Sequence, residues 1–271
     1  MTGRLAPSVL AGVALAALPA LAQTGGLPFR DGSGPIEIVV DGGVEWQQKA
    51  KTFVARGNAR ARQDDVTVRA DVLTAHYRDS ENGGTEIWQI VAEGAVRIAA
   101  PDRIATGERG EYDVDKQLLV LTGKPEFERG ADRIAADDRL EYWQGERRAV
   151  AVGNATAERD GRTLKAGRLT ATFEADGEDG ERIERIEAVG NVIFRSPSEV
   201  LRADRATYDV AAERIELEGS VFITQGRNRL KGQAAELDLK TGVSRMHGGA
   251  GGVTGVLVPG TVARPDGESG R

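Results

Sequence analysis

Three acidic–arginine pairs are the residues of this sequence that most resemble catalytic groups. They are Glu108-Arg109, Asp138-Arg139 and Asp204-Arg205, and positioned carboxylates can transfer protons as general acids or bases. All three pairs recur in register with a sequence repeat, whereas an active site needs unlike groups that converge once. We therefore interpret them as charged strand corners that discourage wrong strand pairing, and we predict no catalytic residue and no enzymatic activity.

Metal and nucleophile chemistry has few candidate residues. The sequence contains no cysteine, and its only histidines are His76 and His247, so we expect no metal site, no cofactor and no histidine-dependent triad. Two acidic inserts, 79–84 and 176–181, could be calcium loops, but their spacing matches neither an EF-hand nor the glycine–aspartate nonapeptide. We interpret both inserts as solvated hairpin tips, and the sequence leaves calcium binding open.

The elements that carry these residues repeat along the chain. A glycine-centred phrase, for example A-V-G-N-A-T-A, occurs six times, at Gly57, Gly94, Gly123, Gly153, Gly190 and Gly219, and the first three glycines recur 96 residues later. Internal repeats of this length indicate stacked supersecondary units, none of which can bury its apolar face alone. The pattern predicts an extended, repeat-built body and favours binding over catalysis.

Each phrase alternates between apolar and polar residues. Around Gly219, for example, Leu217 and Val221 share one parity and Glu218 and Ser220 the other, which is typical of a half-buried antiparallel strand. We expect the glycines to face the interior, at a bend or bulge. A second strand follows, as in A-D-R-A-T-Tyr208. Its apolar residues change from one face of the strand to the other across Asp204-Arg205, which predicts a corner there.

Composition and the first residues place the protein in a broad class. Aromatic residues make up 5% of the chain and the net charge is −6, which argues against nucleic acid as a partner. Residues 1–22 combine Arg4, a short apolar stretch and A-L-A, which predicts a cleaved signal peptide and a bacterial envelope protein. We interpret 248–271 as a flexible Gly- and Pro-rich tail, within which 253–258 could form a terminal strand.

The order of these motifs resembles a known family. I-E-I-V-V-D at 36–41, then F-V-A-R-G-N-A-R-A at 53–61 and V-R-A-D-V-L-T-A-H-Y at 68–77 are similar to the start of the OstA-like domain of periplasmic lipopolysaccharide-transport proteins (the LptA/OstA-like family). Gly153-Asn154, Gly190-Asn191 and Ala203-Asp204 carry the same elements. The resemblance covers 35–247, which we assign as one OstA-like domain, although six units are more than a typical member has.

The resemblance implies a fold and a set of partners. It implies an all-β protein, an antiparallel β-jellyroll opened into a V-shaped trough that shields lipid A acyl chains and carries lipopolysaccharide across the periplasm to the outer membrane. The implied partners are lipopolysaccharide, further copies arranged head to tail, and the jellyroll domains of inner-membrane LptC-like and outer-membrane LptD-like components.

The apolar parity and this resemblance together predict an acyl-chain lining. Burying each methylene is worth about 0.8 kcal/mol, so a continuous apolar row could hold a lipid chain along the strands. The predicted lining residues are Phe53, Ile90, Val96, Ile98, Leu119, Leu121, Phe127, Ile186, Val192, Phe194, Ile215, Leu217, Val221 and Ile223.

Both ends of the repeat array should be able to recruit another strand, because unpaired edges do so unless they are blocked. The predicted assembly edges are Ile36, Ile38 and Val40 at one end and Leu237 and Leu239 at the other. Three alternatives remain open: a membrane-anchored relative in the same transport system, a secreted β-solenoid adhesin, and a carbohydrate-active β-helix enzyme.

Overall fold

The computed structural model describes residues 36–80, 84–176 and 180–258, and this part of the chain is built from β-strands and turns without a helix. No helix in it is therefore long and apolar enough to cross a membrane. The expected signal peptide lies outside the described residues.

The strands are β1 Glu37–Val39, β2 Gly43–Gln47, β3 Thr52–Gln63, β4 Val66–Asp79, β5 Thr85–Ala100, β6 Arg103–Asp113, β7 Leu118–Thr122, β8 Glu126–Arg129, β9 Asp132–Ala135, β10 Arg139–Trp143, β11 Arg148–Arg159, β12 Arg162–Asp176, β13 Gly180–Arg195, β14 Glu199–Asp209, β15 Arg214–Gln225, β16 Asn228–Asp238, β17 Val243–His247 and β18 Thr254–Val256.

The strands form an antiparallel meander, which confirms the predicted all-β jellyroll. Four positions in the meander are occupied by two short strands in place of one long strand: β1 with β2, β7 with β8, β9 with β10, and β17 with β18. With that grouping, each described strand pairs with the strands next to it in sequence. The acidic inserts join β4 to β5 and β12 to β13, as expected for hairpin tips.

The 96-residue repeat is visible in the backbone. The non-glycine residues with positive φ fall into pairs of this separation, including Asn58 with Asn154 and Gln117 with Glu213. Two hydrogen bonds recur in the same way: Asn58 Nδ2 donates to Asp41 Oδ2 over 2.9 Å, and Asn154 Nδ2 donates to Asp137 Oδ2 over 2.7 Å. The chain thus contains two copies of one structural unit, which we call repeat 1 (37–131) and repeat 2 (133–227).

The glycine phrases are strand corners, as the sequence predicts, but the glycines do not face the interior. Each glycine and the residue after it have positive φ, and the two-residue bulge turns the glycine away from the apolar side. Gly57 is exposed and the other five are half-buried. An added Cβ on Gly94 would lie 2.1 Å from the Asp71 carboxylate, so a neighbouring side chain occupies the space beside that glycine.

The C-terminal end differs from the prediction in the position of its edge. Leu237 lies in β16, which is not the edge, because β17 and β18 both pair with β16, and Leu237 is fully buried while Leu239 packs against the core. The terminal strand that the sequence allowed within 253–258 is present as β18, Thr254–Val256; residues from 259 onward lie outside the described part. Gly249 follows Gly219 by the same 30 residues that separate Gly153 from Gly123, but it lacks the positive φ of the six corner glycines and forms an isolated bridge with Gly252 between β17 and β18.

Candidate functional site: an apolar interior with a cavity between the two repeats

The apolar side chains of the sheet form two buried clusters, one in each repeat. Val96, Ile98, Leu119 and Leu121 belong to the first, where Ile90 and Phe127 pack against them. The second contains the seven predicted lining residues from Ile186 to Ile223. Leu140 packs against both clusters, so the apolar interior continues from one repeat to the other.

Phe53 is the predicted lining residue that lies apart from both clusters. Its ring stacks on Trp46 with 5.6 Å between centroids and meets Tyr77 at 5.0 Å. Trp46 Nε1 donates a hydrogen bond to the Tyr77 hydroxyl over 2.8 Å, while the Trp46 side chain remains 59% exposed on the edge strand β2. We call Trp46, Phe53 and Tyr77 the aromatic plug, because they fill the end of repeat 1.

A partly open cavity of about 150 Å³ lies where the two repeats meet. Strands β6 to β13 all contribute to its wall, which is mostly aliphatic and includes the predicted residues Leu119, Leu121, Phe127 and Ile186. A smaller cavity of about 50 Å³ lies within repeat 1 and includes Ile90, Ile98 and Leu119. The lining residues of repeat 2 beyond Ile186, by contrast, are buried against one another, with Ile215 and Val221 fully enclosed.

Polar groups also line the larger cavity, which we call the junction cavity. The guanidinium groups of Arg103 and Arg129 both contact Asp102, at 3.0 and 2.9 Å. The Tyr142 hydroxyl hydrogen-bonds to Glu181 over 3.0 Å, and burial, reinforced by that carboxylate, raises the pKa of Tyr142. Tyr142 therefore remains protonated and donates this hydrogen bond at neutral pH.

The junction cavity has wall residues that the sequence analysis missed. Arg103, Arg129, Tyr142, Ala149 and Phe173 all line it. The two arginines begin or end strands next to charged turns, so they have no special pattern in the sequence. Tyr142, Ala149 and Phe173 could have been found by aligning the two repeats, because they follow Trp46, Phe53 and Tyr77 by 96 residues.

The acidic–arginine pairs do not converge on one point. Each lies at the corner of a different strand or next to it, and Arg109 and Arg205 contact carboxylates of adjacent strands, Glu93 and Glu218 respectively. His76 lies beside Trp88 in repeat 1, whereas His247 is the last residue of β17. Within the described ranges, no cluster of three or more His, Cys, Asp or Glu side chains could hold a metal ion.

The structure thus defines a class, an antiparallel β-jellyroll with an apolar interior shared by two repeats. A family model described as LptA/(LptD N-terminal domain) LPS transport protein matches the sequence twice, over residues 43–142 and 136–243. These matches cover most of the chain, and the protein belongs to this family of lipopolysaccharide-transport proteins.

The two family matches correspond to the two structural repeats. Among solved structures, the chain is similar to LptH, described as the LptA-homologous periplasmic component of the lipopolysaccharide transport device of Pseudomonas aeruginosa. The identity is 17%, the TM-score is 0.40, and the match covers 47% of this chain and 95% of LptH. A search of curated proteins gave no match.

Proposed function

We propose that the protein binds the acyl chains of lipopolysaccharide in its interior and carries the lipid through the periplasm as one segment of a bridge between the two membranes. The observation that carries this proposal is the apolar interior that extends through both repeats and opens into the junction cavity. Family membership supplies the ligand class. The apolar wall supplies the driving force, because each buried methylene contributes about 0.8 kcal/mol.

Both ends of the described sheet support assembly into a bridge. Among the described residues, β1 and β2 pair only with β3, and β17 and β18 only with β16. Both ends expose large apolar side chains, including Ile38, Val44 and Trp46 at one end and Val256 and Leu257 at the other. Edges of this kind bind a partner by strand addition, and the proposed partners are further copies of the chain and the jellyroll domains of LptC-like and LptD-like components.

Site-specific photo-crosslinking tests the binding proposal. We expect a photoreactive phenylalanine analogue at Phe127, which lines the junction cavity, to capture lipopolysaccharide. The same analogue at Glu218, whose side chain is 66% exposed on the other face of the sheet, should capture none. Equal labelling at the two positions would contradict the proposal.

Sedimentation tests the assembly proposal. We expect the wild type to associate as its concentration rises, and Ile38→Pro to weaken this association because proline removes a backbone donor and disrupts β1. The circular dichroism of the strands should be retained. A monomer at every concentration that binds no jellyroll partner would contradict the bridge.

A further inference from the structure

The junction cavity includes a repeat position at which a ring is replaced by a methyl group. Phe53 and Ala149 occupy equivalent places: Phe53 pairs with Trp46 and Ala75, and Ala149 pairs with Tyr142 and Ala171. In repeat 1 the Phe53 ring fills the space between its aromatic neighbours. In repeat 2 the corresponding space beside Ala149 is part of the cavity.

The neighbouring aromatic groups change in a way that keeps this space open. Trp46 donates to the Tyr77 hydroxyl across the Phe53 ring in repeat 1. At the equivalent positions, Phe173 has no hydroxyl, and Tyr142 bonds instead to Glu181. Because the two side chains of repeat 2 are not tied to each other, no contact closes the cavity where the plug closes repeat 1.

We propose that the junction cavity is a binding site for one lipid A acyl chain, and that Ala149 is the residue that admits it. The inference rests on the proposed function for the identity of the lipid, and it adds a location and a residue that controls entry. A cavity of about this volume takes up a benzene-sized apolar group, so the site accommodates a segment of the chain.

Charged groups of both signs line the cavity beside its apolar wall. Arg103 and Arg129 are Cα partners in adjacent strands, and both contact Asp102. Glu141 and Glu181 line the same cavity. Because charges of both signs are present, the apolar wall is what selects the ligand, through its hydrocarbon part.

A volume series at position 149 tests the proposal, with a diazirine-labelled dodecanoate and with hexa-acylated lipid A as probes. We expect Ala149→Leu to weaken binding of both probes several-fold and Ala149→Phe at least tenfold, because these side chains fill the cavity. Glu187→Phe, which adds a ring on the outward face of β13, is the matched control and should bind like the wild type. Thermal unfolding of each variant shows whether it is folded.

The reverse substitution gives a second, independent readout. Phe53→Ala should open an equivalent space in repeat 1 and raise the number of dodecanoate molecules bound per chain from one to two. Labelled peptides from the wild type should contain β10 or β11. Wild-type affinity in folded Ala149→Leu and Ala149→Phe would overturn the proposal while leaving the proposed function intact if lipid A still binds. Failure of the wild type to bind lipid A would contradict both.

Discussion

Leu121 and Leu217 occupy the same position in the two repeats and have different surroundings. Both are 2% exposed, but Leu121 lines the junction cavity while Leu217 lies among packed side chains that border no described cavity. The backbones around them share the same corners and positive-φ residues. The two regions show that this repeat specifies the path of the chain, and that a few side chains decide whether the enclosed space is filled or left for a ligand.

The largest expected difference between the repeats is in the free energy of unfolding after identical core substitutions. Leu217→Ala should destabilise the protein by about 4 kcal/mol, because it creates a cavity in a packed region, and Leu121→Ala by about 2–3 kcal/mol. The free energy of transferring the leucine side chain out of water is the same at both positions. The difference in unfolding free energy between the two variants therefore measures how tightly each position is packed. Urea titration followed by circular dichroism measures both variants, and equal losses would contradict the comparison.

Corner glycines provide the next comparison. Gly94 and Gly190 are equivalent and have φ of 77° and 83°, so a side chain at either costs about 1–2 kcal/mol of backbone strain. At Gly94 a Cβ would also meet Asp71 at 2.1 Å, whereas at Gly190 the nearest atom, in Gly167, is 3.8 Å away. We expect the free energy of unfolding to fall by at least about 1 kcal/mol more in Gly94→Ala than in Gly190→Ala.

A double variant tests the cause of that difference. Asp71 and Gly167 are themselves equivalent positions. Asp71→Gly should therefore reduce the extra loss of unfolding free energy in Gly94→Ala. A double-mutant cycle measures the coupling between the two substitutions. An additive cycle would show that the carboxylate does not cause the extra loss.

A pH-dependent difference is expected at positions 103 and 199, which are also equivalent. Arg103 is paired with Asp102, whereas Glu199 is 4% exposed and its Oε1 has no hydrogen-bond partner, and burial raises its pKa to about 7. The folded state therefore holds the proton more tightly than the unfolded state, whose pKa is near 4.5. The contribution of Glu199 to stability is largest at low pH and declines between about pH 4.5 and pH 7, in total by roughly 3 kcal/mol.

Glu199→Gln should remove this decline, because the amide cannot ionise. Unfolding free energies measured at pH 4.5 and pH 7 in wild type and variant give the difference directly. A wild-type protein whose pH dependence equals that of the variant would contradict the assignment.

The sequence predicted those parts of the fold that depend on local periodicity. The alternation around Leu217 and Val221 and the parity switch at Asp204-Arg205 correspond to buried rows and to a corner in the structure. The predicted orientation of the corner glycines was wrong. The prediction assumed that successive side chains alternate strictly between the two faces of the sheet, and two consecutive residues with positive φ interrupt this alternation. The edge at Leu237 was wrong because two further strands, β17 and β18, follow β16 and pair with it.

The cavity could not have been predicted from periodicity alone. Ala149 fits the apolar pattern of its strand as well as Phe53 does, so the pattern gives no sign that one fills space and the other leaves it empty. That distinction depends on which side chains face each other across the sheet, such as Ala149 with Tyr142 and Ala171. The grouping of Arg103 with Arg129 likewise requires the strand register.

The pairing of each strand with its neighbours in sequence has a consequence for how the chain folds. Each described strand pairs only with strands one to three places away in chain order. A hairpin can therefore form and then extend by one strand at a time without closing a long loop. A chain that becomes available from its N-terminus onward can thus build the sheet in the order in which its strands appear, and each completed strand is the template for the next.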